Sequence, residues 1–222
     1  ISGSKITSVA PAITVTPGAV SLAKSVVTLS AGSVKSGSTI AVTLQTKDAA
    51  GNKETTGGLT VAFALGSLTG GQGTLTSFTD NGNGTYTAIF TGTLVGSNTI
   101  KATIDGSPVT STPPAIIVTP GPVSLANSVV SLSMASIQVG GTTKVTLQAK
   151  DAAGNKETTG GLTVLFLLES IGGGQGTFSS VTDNHNGTYT ATFKGTVAGS
   201  NTIEAEIGGQ DVTSTAPSIT IL

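Results

Sequence analysis

The chain repeats itself once at a fixed offset, and this internal repeat constrains the fold more than any other feature of the sequence. The run Asp48–Val61 recurs unchanged at Asp151–Val164, and Asn83–Thr87 recurs at Asn186–Thr190. Each pair is separated by 103 residues, the offset from Asp48 to Asp151, with no insertion. A repeat of this length is a domain-sized unit. The sequence therefore predicts two similar domains in its 222 residues.

A second pattern sets the boundaries of the units. The segment Thr110–Gly121 closes the first unit, and copies of its sequence occur at Thr7–Gly18 and, in part, at Thr213–Pro217. We therefore predict a first unit at 17–119 and a second unit at 120–222. Residues 1–16 are predicted to be the last strand of a preceding repeat, which implies that the chain comes from a longer array.

Within a unit the apolar residues alternate with polar or small residues, as in half-buried strands. Ile40, Val42 and Leu44 form one such set. Three more sets follow the same rule: Leu59, Val61, Phe63 and Leu65; Tyr86, Ala88 and Phe90; Ile100, Ala102 and Ile104. The second unit keeps the apolar positions, whereas the alternate positions change freely. One constrained face and one free face are typical of antiparallel strands over a core.

Glycine-rich turns separate these runs, and no window shows a helical period. About seven strands are predicted in the first unit, at 20–30, 38–48, 58–66, 73–79, 84–92, 97–105 and 108–118. Seven short strands in a domain of this size indicate an all-β, immunoglobulin-like β-sandwich. The short Pro17-Gly18 and Pro120-Gly121 linkers leave little slack, because proline fixes its own φ and restricts its predecessor. We therefore expect the sandwiches to be arranged end to end.

Composition argues against several classes of function. Cysteine is absent, so disulfides and thiolate metal sites do not contribute. Charged residues make up 9% of the chain and the net charge is −1, which gives no basic surface for nucleic acid. No apolar run approaches the length of a membrane span, so direct membrane insertion is not expected.

One loop in each unit carries oxygen-bearing side chains close together. Asp48 and Asn52 flank Ala-Ala-Gly between two strands, and this spacing favours a turn closed by Gly51 in a left-handed conformation. Calcium binding is the alternative, because hard cations bind clustered oxygens. The calcium ligands would be Asp48, Asn52 and Glu54 in the first unit, and Asp151, Asn155 and Glu157 in the second. No other cofactor is expected.

The remaining polar motifs predict structural roles. Asp80–Gly84 fails the calcium-loop pattern of EF-hands and is predicted to be a tight turn. Tyr86 and Tyr189 are predicted to be buried tyrosines whose hydroxyls bond to the backbone, a known device of β-sandwiches. His185 is the only histidine and is predicted to be a solvated loop residue, so no catalytic residue is assigned and the chain is not expected to be an enzyme.

A resemblance to known families rests on three motifs taken in order. They are Asp48–Asn52, Asp80–Tyr86 and the exit segment Val118–Gly121. In this order they resemble filamin-type repeats and the bacterial immunoglobulin-like domains of invasin and intimin adhesins. The resemblance covers both units, and it implies that the domains serve mainly as spacers in extracellular or cell-surface proteins.

Three functions are therefore open at the level of sequence. The first is a structural spacer or stalk of a bacterial cell-surface adhesin or extracellular fibre, whose partners are the neighbouring repeats of the same chain. The second is a module that binds a receptor or glycan through loops such as 66–73 and 169–176, which differ between the units. The third is a self-assembling filament subunit, in which residues 1–16 or a sheet edge pairs with another copy.

Overall fold

A computed structural model describes residue 3 and residues 7–169 and 173–222, and all regular structure in this part of the chain is β. Over those same residues, no helix has the length and apolar character needed to cross a membrane.

The first unit is built from strands that follow the predicted alternation of apolar residues. They are β1 (Val26–Leu29), β2 (Ser33–Lys35), β3 (Thr39–Gln45), β4 (Val61–Leu65), β5 (Gln72–Asp80), β6 (Thr85–Leu94), β7 (Gly96–Ile104), β8 (Ser107–Pro108) and β9 (Ala115–Thr119). One sheet has the order β1-β3-β6-β5, and the other has the order β2-β9-β7-β4, with β8 beside β7.

The second unit repeats this topology. Its strands are β10 (Val129–Leu132), β11 (Ser136–Ile137), β12 (Thr142–Gln148), β13 (Val164–Leu168), β14 (Gln175–Phe178), β15 (Thr182–Asp183), β16 (Thr188–Val197), β17 (Gly199–Ile207), β18 (Gln210–Asp211) and β19 (Ser218–Ile221). The sheets have the orders β10-β12-β16-β14 and β11-β19-β17-β13, and β15 and β18 pair with β16 and β17.

Each unit has its own hydrophobic core between its two sheets. In the first unit Val42, Leu44 and Phe90 come from one sheet, and Ile100 and Ile116 come from the other; all five are essentially inaccessible to solvent. The second unit has an equivalent cluster. The all-β sandwich predicted from the alternation is confirmed, and the apolar positions of β3, β6 and β7 face inward as predicted.

The strand predicted at 20–30 is wrong in extent. Only Val26–Leu29 is strand, because Ser21–Ser25 forms a turn in which the Ser25 N–H donates to the Ser21 carbonyl at 2.9 Å. The Ser25 hydroxyl also donates to that carbonyl and accepts from the Lys47 N–H. After β1 the chain crosses to the other sheet and forms β2, a strand that was not predicted from the sequence.

The strand predicted at 108–118 is also divided. Pro113 and Pro114 have no N–H to donate to a sheet, so the strand begins only at Ala115. The strand that follows, β9, pairs antiparallel with β7 but parallel with β2. The same parallel pairing joins β11 to β19. Antiparallel strands were expected from the alternation, and this one pairing in each unit is parallel instead.

Residues 7–16 have no regular secondary structure. Ile13 and Val15 correspond to Ile116 and Val118 of β9, yet they are 89% and 85% exposed, and no strand among the described residues pairs with them. Their assignment to the last strand of a preceding repeat stays a prediction, and residues 1, 2 and 4–6 lie outside the described residues.

The two tyrosines have the structural role predicted for them. Tyr86 and Tyr189 are buried, and their hydroxyls accept hydrogen bonds from the backbone N–H groups of Leu59 and Leu162 at 3.1 and 3.0 Å. Each hydrogen bond ties the loop before β4 or β13 to the opposite sheet.

We expect Tyr189→Phe to destabilise the second unit by about 1–3 kcal/mol, because the Leu162 N–H loses its partner in a partly buried position. Urea unfolding followed by circular dichroism measures this loss. Tyr86→Phe should produce a similar loss in the first unit. An unchanged unfolding midpoint for both variants would contradict a stabilising role for the hydroxyls.

Candidate functional site at the junction of the two units

The polar loop at 151–155 lies where the two units meet. It connects β12 towards β13 and approaches the linker Pro120-Gly121, which leaves β9 of the first unit. This loop is one of the two candidate sites predicted from the sequence. Its side chains form hydrogen bonds within the loop, to the linker and to the first unit.

Asp151 organises the loop and the linker together. Its Oδ1 accepts hydrogen bonds from the N–H groups of Ala153 and Asn155 at 2.9 and 2.8 Å. Its Oδ2 accepts from the Gly121 N–H at 3.0 Å and from the Asn155 side-chain amide at 2.8 Å. One carboxylate therefore closes the turn, holds the end of the linker and orients the Asn155 amide.

The oriented amide of Asn155 reaches the first unit. Its Nδ2 donates to the Thr93 carbonyl at 2.8 Å and lies 3.2 Å from the Ser36 hydroxyl oxygen, and its Oδ1 accepts from the Val95 N–H at 3.2 Å. The Ser36 hydroxyl itself donates to the Thr93 carbonyl at 3.0 Å. Asn155 is 5% exposed and Ser36 is 6% exposed, so these contacts are largely shielded from water.

The same loop in the first unit has the same internal geometry but different surroundings. Asp48 accepts from the Gly18 N–H at 3.0 Å and from the backbone and side-chain amides of Asn52, both at 2.8 Å. Asn52, however, is exposed, and its side-chain amide donates to Asp48 of its own loop. The identical sequences thus form one turn that is buried at the junction and one that faces solvent.

Small residues allow the units to come this close. A Cβ on Gly121 would lie 2.6 Å from the Ser36 carbonyl oxygen, whereas a Cβ on the equivalent Gly18 would meet only Asp48, at 3.8 Å. An open cleft beside this contact is also lined mainly by small residues, namely Gly37, Thr91, Gly92, Pro122, Ala152 and Ala153.

Hydrogen bonding controls the acidity of both aspartates. The Asn52 amide, followed by the Gly18 N–H, lowers the pKa of Asp48 to about 2. For Asp151, burial is the largest single influence and acts to raise the pKa. The hydrogen bonds from the Gly121 N–H and from Asn155 together outweigh it, so the pKa of Asp151 is also lowered.

The two glutamates of the predicted calcium sites do not join the hydrogen-bonded turns. Oε1 of Glu54 and Oε1 of Glu157 are each buried without a hydrogen-bond partner. Burial raises the pKa of Glu157, the charge of Asp151 adds to this, and Lys35 of the first unit opposes it. The structure thus brings Asp48 to Asn52 and Asp151 to Asn155, and leaves the glutamates outside both pairs.

Calcium binding at these loops stays a prediction. Among the described residues, no group of three or more His, Cys, Asp or Glu side chains could hold a metal ion. Both oxygens of Asp48 and of Asp151 already accept N–H groups, which occupy the lone pairs that a cation would use.

The turn predicted at Asp80–Gly84 is confirmed, and it and the equivalent turn at Asp183 each make an additional contact. Asp80 accepts from the Gly82 N–H within the turn, at 2.9 Å, and from the Gly58 N–H of a second loop, at 2.6 Å. Asp183 has the same two contacts, with His185 and Gly161. His185 has a positive φ, and its side chain is 84% exposed. Its Nδ1 lies 3.6 Å from Oδ2 of Asp183.

Three junction residues were not identified from the sequence. Thr93 and Val95 contribute backbone groups, which leave no sequence signal, and Ser36 is replaced by Val139 in the second unit. That replacement was the only available sign, because Ser36 has a buried partner to contact whereas Val139 is 53% exposed.

Carboxyl pKa values measured by NMR titration test this account of the junction. We expect Asp48 to titrate at about 2 and Asp151 below its ordinary 3.8, while Glu157 titrates above its ordinary 4.5. Since the aspartate pKa values are lowered by folding, their stabilising contribution is present above the unfolded pKa of about 3.9 and is lost as the pH falls towards the folded values. Glu157 contributes in the opposite sense, because its folded pKa is raised: its favourable contribution is lost as the pH rises through that pKa.

Asn155→Ala should raise the pKa of Asp151 and leave that of Asp48 unchanged. Asn52→Ala should raise the pKa of Asp48 and leave that of Asp151 unchanged. An Asp151 pKa that does not respond to Asn155→Ala would contradict the role of this amide.

Comparisons with known proteins agree with the fold and the repeat. An adhesin of Escherichia coli, FdeC, superposes with a TM-score of 0.59 at 26% identity, over 95% of this chain and 68% of that one. InvD of Yersinia pseudotuberculosis superposes with a TM-score of 0.51 at 27% identity, over 89% of this chain and 57% of that one.

Invasin, a bacterial integrin-binding protein, shares the fold with a TM-score of 0.59 at 21% identity. The match covers 92% of this chain but 41% of invasin, so the chain spans less than half of that structure. No curated protein matches the sequence.

The sequence model of the family described as "Invasin, domain 3" matches twice, at residues 21–121 and 124–222. The two matches correspond to the two sandwiches and together include most of the chain. The resemblance to invasin-type immunoglobulin-like repeats is confirmed, and the chain belongs to the Invasin, domain 3 family.

Proposed function

We propose that this chain is a pair of spacer repeats in the stalk of a bacterial cell-surface adhesin, and that it acts outside the cell without enzymatic activity. Membership of the invasin family and the similarity to the adhesin FdeC support the adhesin role. In this proposal the repeats hold a distal part of the adhesin at a fixed distance and direction from the surface.

The observation that carries the proposal is the Asn155 amide at the junction. It contacts Ser36, Thr93 and Val95 of the first unit while Asp151 holds it in place. Polar contacts of this kind have narrow distance and angle requirements, so they define a direction between two domains better than apolar contact alone. A flexible tether would have no need of a buried, fully oriented amide between its domains.

The dimensions of each unit suit a spacer. Strands β6 and β16 each contain 10 residues, which corresponds to roughly 33 Å at about 3.3 Å per residue. The linker Pro120-Gly121 adds little length and restricts the backbone. Each further repeat would therefore extend the reach of the stalk by a few nanometres.

Small-angle X-ray scattering of residues 1–222 tests the spacer role. We expect a concentration-independent profile of two domains in a fixed arrangement, unchanged by calcium. Asn155→Ala should broaden the distance distribution because the junction loses its contacts with Ser36, Thr93 and Val95. Asn52→Ala is the matched control, since it removes the same side chain from an exposed copy of the loop, and it should leave the profile unchanged.

Glycine-to-alanine variants provide an independent pair. Gly121→Ala introduces a Cβ that would collide with the Ser36 carbonyl, so it should alter the arrangement of the units, whereas Gly18→Ala should not. If Asn155→Ala and Gly121→Ala both give profiles identical to the unmodified chain, the junction is not what fixes the units and the proposal fails.

A receptor- or glycan-binding module is a second candidate, favoured by Leu68. This side chain is 97% exposed at the tip of the loop between β4 and β5, and the equivalent residue of the second unit, Ile171, lies outside the described residues. A partner that covered this loop would remove the apolar surface of Leu68 from water, which favours association.

Binding of the chain to arrayed glycans and to integrin ectodomains tests this second role. Saturable binding that Leu68→Ser abolishes and Leu94→Ser does not would support it, since Leu94 is also an exposed leucine of the first unit. Binding that is insensitive to Leu68→Ser would rule out this loop as the anchor.

A further inference from the structure

We propose that the exposed Asp48–Asn52 loop is the docking half of a second junction, and that its partner is the carboxy-terminal corner of another repeat of this kind. This inference rests on the proposed spacer role and names the surface through which the array is extended. The partner's chemistry is specific: a backbone carbonyl and a backbone N–H placed as those of Thr93 and Val95 are at the internal junction.

The Asp48–Asn52 loop already has the conformation that its counterpart adopts at the internal junction. Asp48 holds Asn52 and Gly18 through the same contacts by which Asp151 holds Asn155 and Gly121. Because this geometry forms without a partner in the first unit, docking would not require a conformational change. Asn52 is exposed, and its side-chain amide is already held by the Asp48 carboxylate.

Asn52 is equivalent in sequence and in its local hydrogen bonds to Asn155, whose partners are the backbone groups of Thr93 and Val95. Asn155 becomes 5% exposed against the corner formed by the end of β6 and the start of β7. Asn155 has this corner as a neighbour, whereas Asn52 is exposed. The internal junction thus serves as a template for the surface that fits Asn52.

The second unit of this chain has an equivalent corner between β16 and β17. Between β16 and β17, Thr196 and Ala198 occupy the positions of Thr93 and Val95, and both are exposed. Two rim positions differ, since Val139 replaces Ser36 and Lys194 replaces Thr91. The backbone acceptor and donor do not depend on these side chains, and Val139 offers an apolar surface to the Ala49-Ala50 part of a docked loop.

The proposed contact can therefore be formed between two copies of this chain. Joining Leu222 of one copy directly to Pro17 of the next reproduces the internal linker, in which Thr119 precedes Pro120 and Gly121. Only residues 1–16 of the second copy are omitted, and residues 7–16, which the structure describes, belong to neither hydrophobic core. The joined chain has four units and one new junction in its middle.

The experiment uses NMR on the joined chain, with the second copy isotopically labelled. It compares the side-chain amide of Asn52 at the new junction with that of a solvent-exposed Asn52 and with that of Asn155 at the internal junction. We expect the side-chain amide of Asn52 in the second copy to exchange with solvent about tenfold more slowly than Asn52 in an unjoined chain, the factor that one net hydrogen bond provides. Val139→Ser in the first copy should slow this exchange further, because it restores the hydroxyl that Ser36 supplies to Asn155.

Scattering on the same chain gives an independent readout. Asn52→Ala in the second copy should broaden the distance distribution, whereas Asn52→Ala in the first copy, where the loop faces solvent, should not. Exchange of the second-copy Asn52 at the rate of the unjoined chain, or equal scattering from both variants, would overturn the inference.

The internal junctions of the joined chain separate the two proposals. If the Asn155 amides are protected and the second-copy Asn52 is not, the further inference fails and the spacer role stands. If the Asn155 amides are unprotected as well, the rigid junction on which the spacer role depends is itself absent.

Discussion

A single carboxylate organises the contact between the two units. Asp151 accepts hydrogen bonds from its own loop, from the linker glycine and from the side-chain amide of Asn155, so that two segments of backbone and one side chain are held at fixed positions around two oxygens. Charge-assisted hydrogen bonds of this type are stronger than those between neutral groups. They also lower the pKa of the aspartate, so that the carboxylate remains ionised over the neutral range. The direction of the Asn155 amide, and with it the contact to the first unit, depends on this one side chain.

The comparison of the two loops separates local structure from context. Asp48–Asn52 and Asp151–Asn155 are identical in sequence and adopt the same hydrogen-bonded turn, yet Asn52 is exposed and Asn155 is buried. The turn is therefore a property of the local sequence, whereas burial is a property of the neighbour. Such a loop can be preorganised in every copy and become functional only when another repeat stands before it, which lowers the entropic cost of association.

Local patterns predicted the fold well because burial in a sandwich follows the period of the strand. The alternation at Ile40, Val42 and Leu44 identified the inward face, and the position of Tyr86 identified a buried hydroxyl bonded to the backbone. The errors occurred where the backbone competes with the pattern. The Ser21–Ser25 turn shortens the first strand, and two prolines delay the last one.

The junction could be predicted only in part. Asp151 and Asn155 were predicted to form a turn, with calcium binding as the alternative, whereas the groups that Asn155 contacts across the junction include the backbone of Thr93 and Val95. Every residue has a carbonyl, and nearly every residue has an N–H, so neither group distinguishes one position from another in a sequence. Only the fold brings these two groups to a corner that faces the next unit.

The parallel pairing of the second and last strands of each unit has a mechanical consequence. In the first unit β2 lies beside β9, with hydrogen bonds from the Ser36 N–H to the Thr119 carbonyl and from the Ile117 N–H to the Gly32 carbonyl. Because the two strands are parallel, the chain enters β2 and leaves β9 at opposite ends of the pair. Tension applied between the linkers would load these bonds in shear, so that they must break together rather than one after another as in an unzipping hairpin. Resistance to pulling is then set by the unfolding rate under force and not by equilibrium stability. Because β11 and β19 repeat the arrangement, a surface chain built from such units would transmit the drag of flowing liquid through a series of equivalent shear clamps.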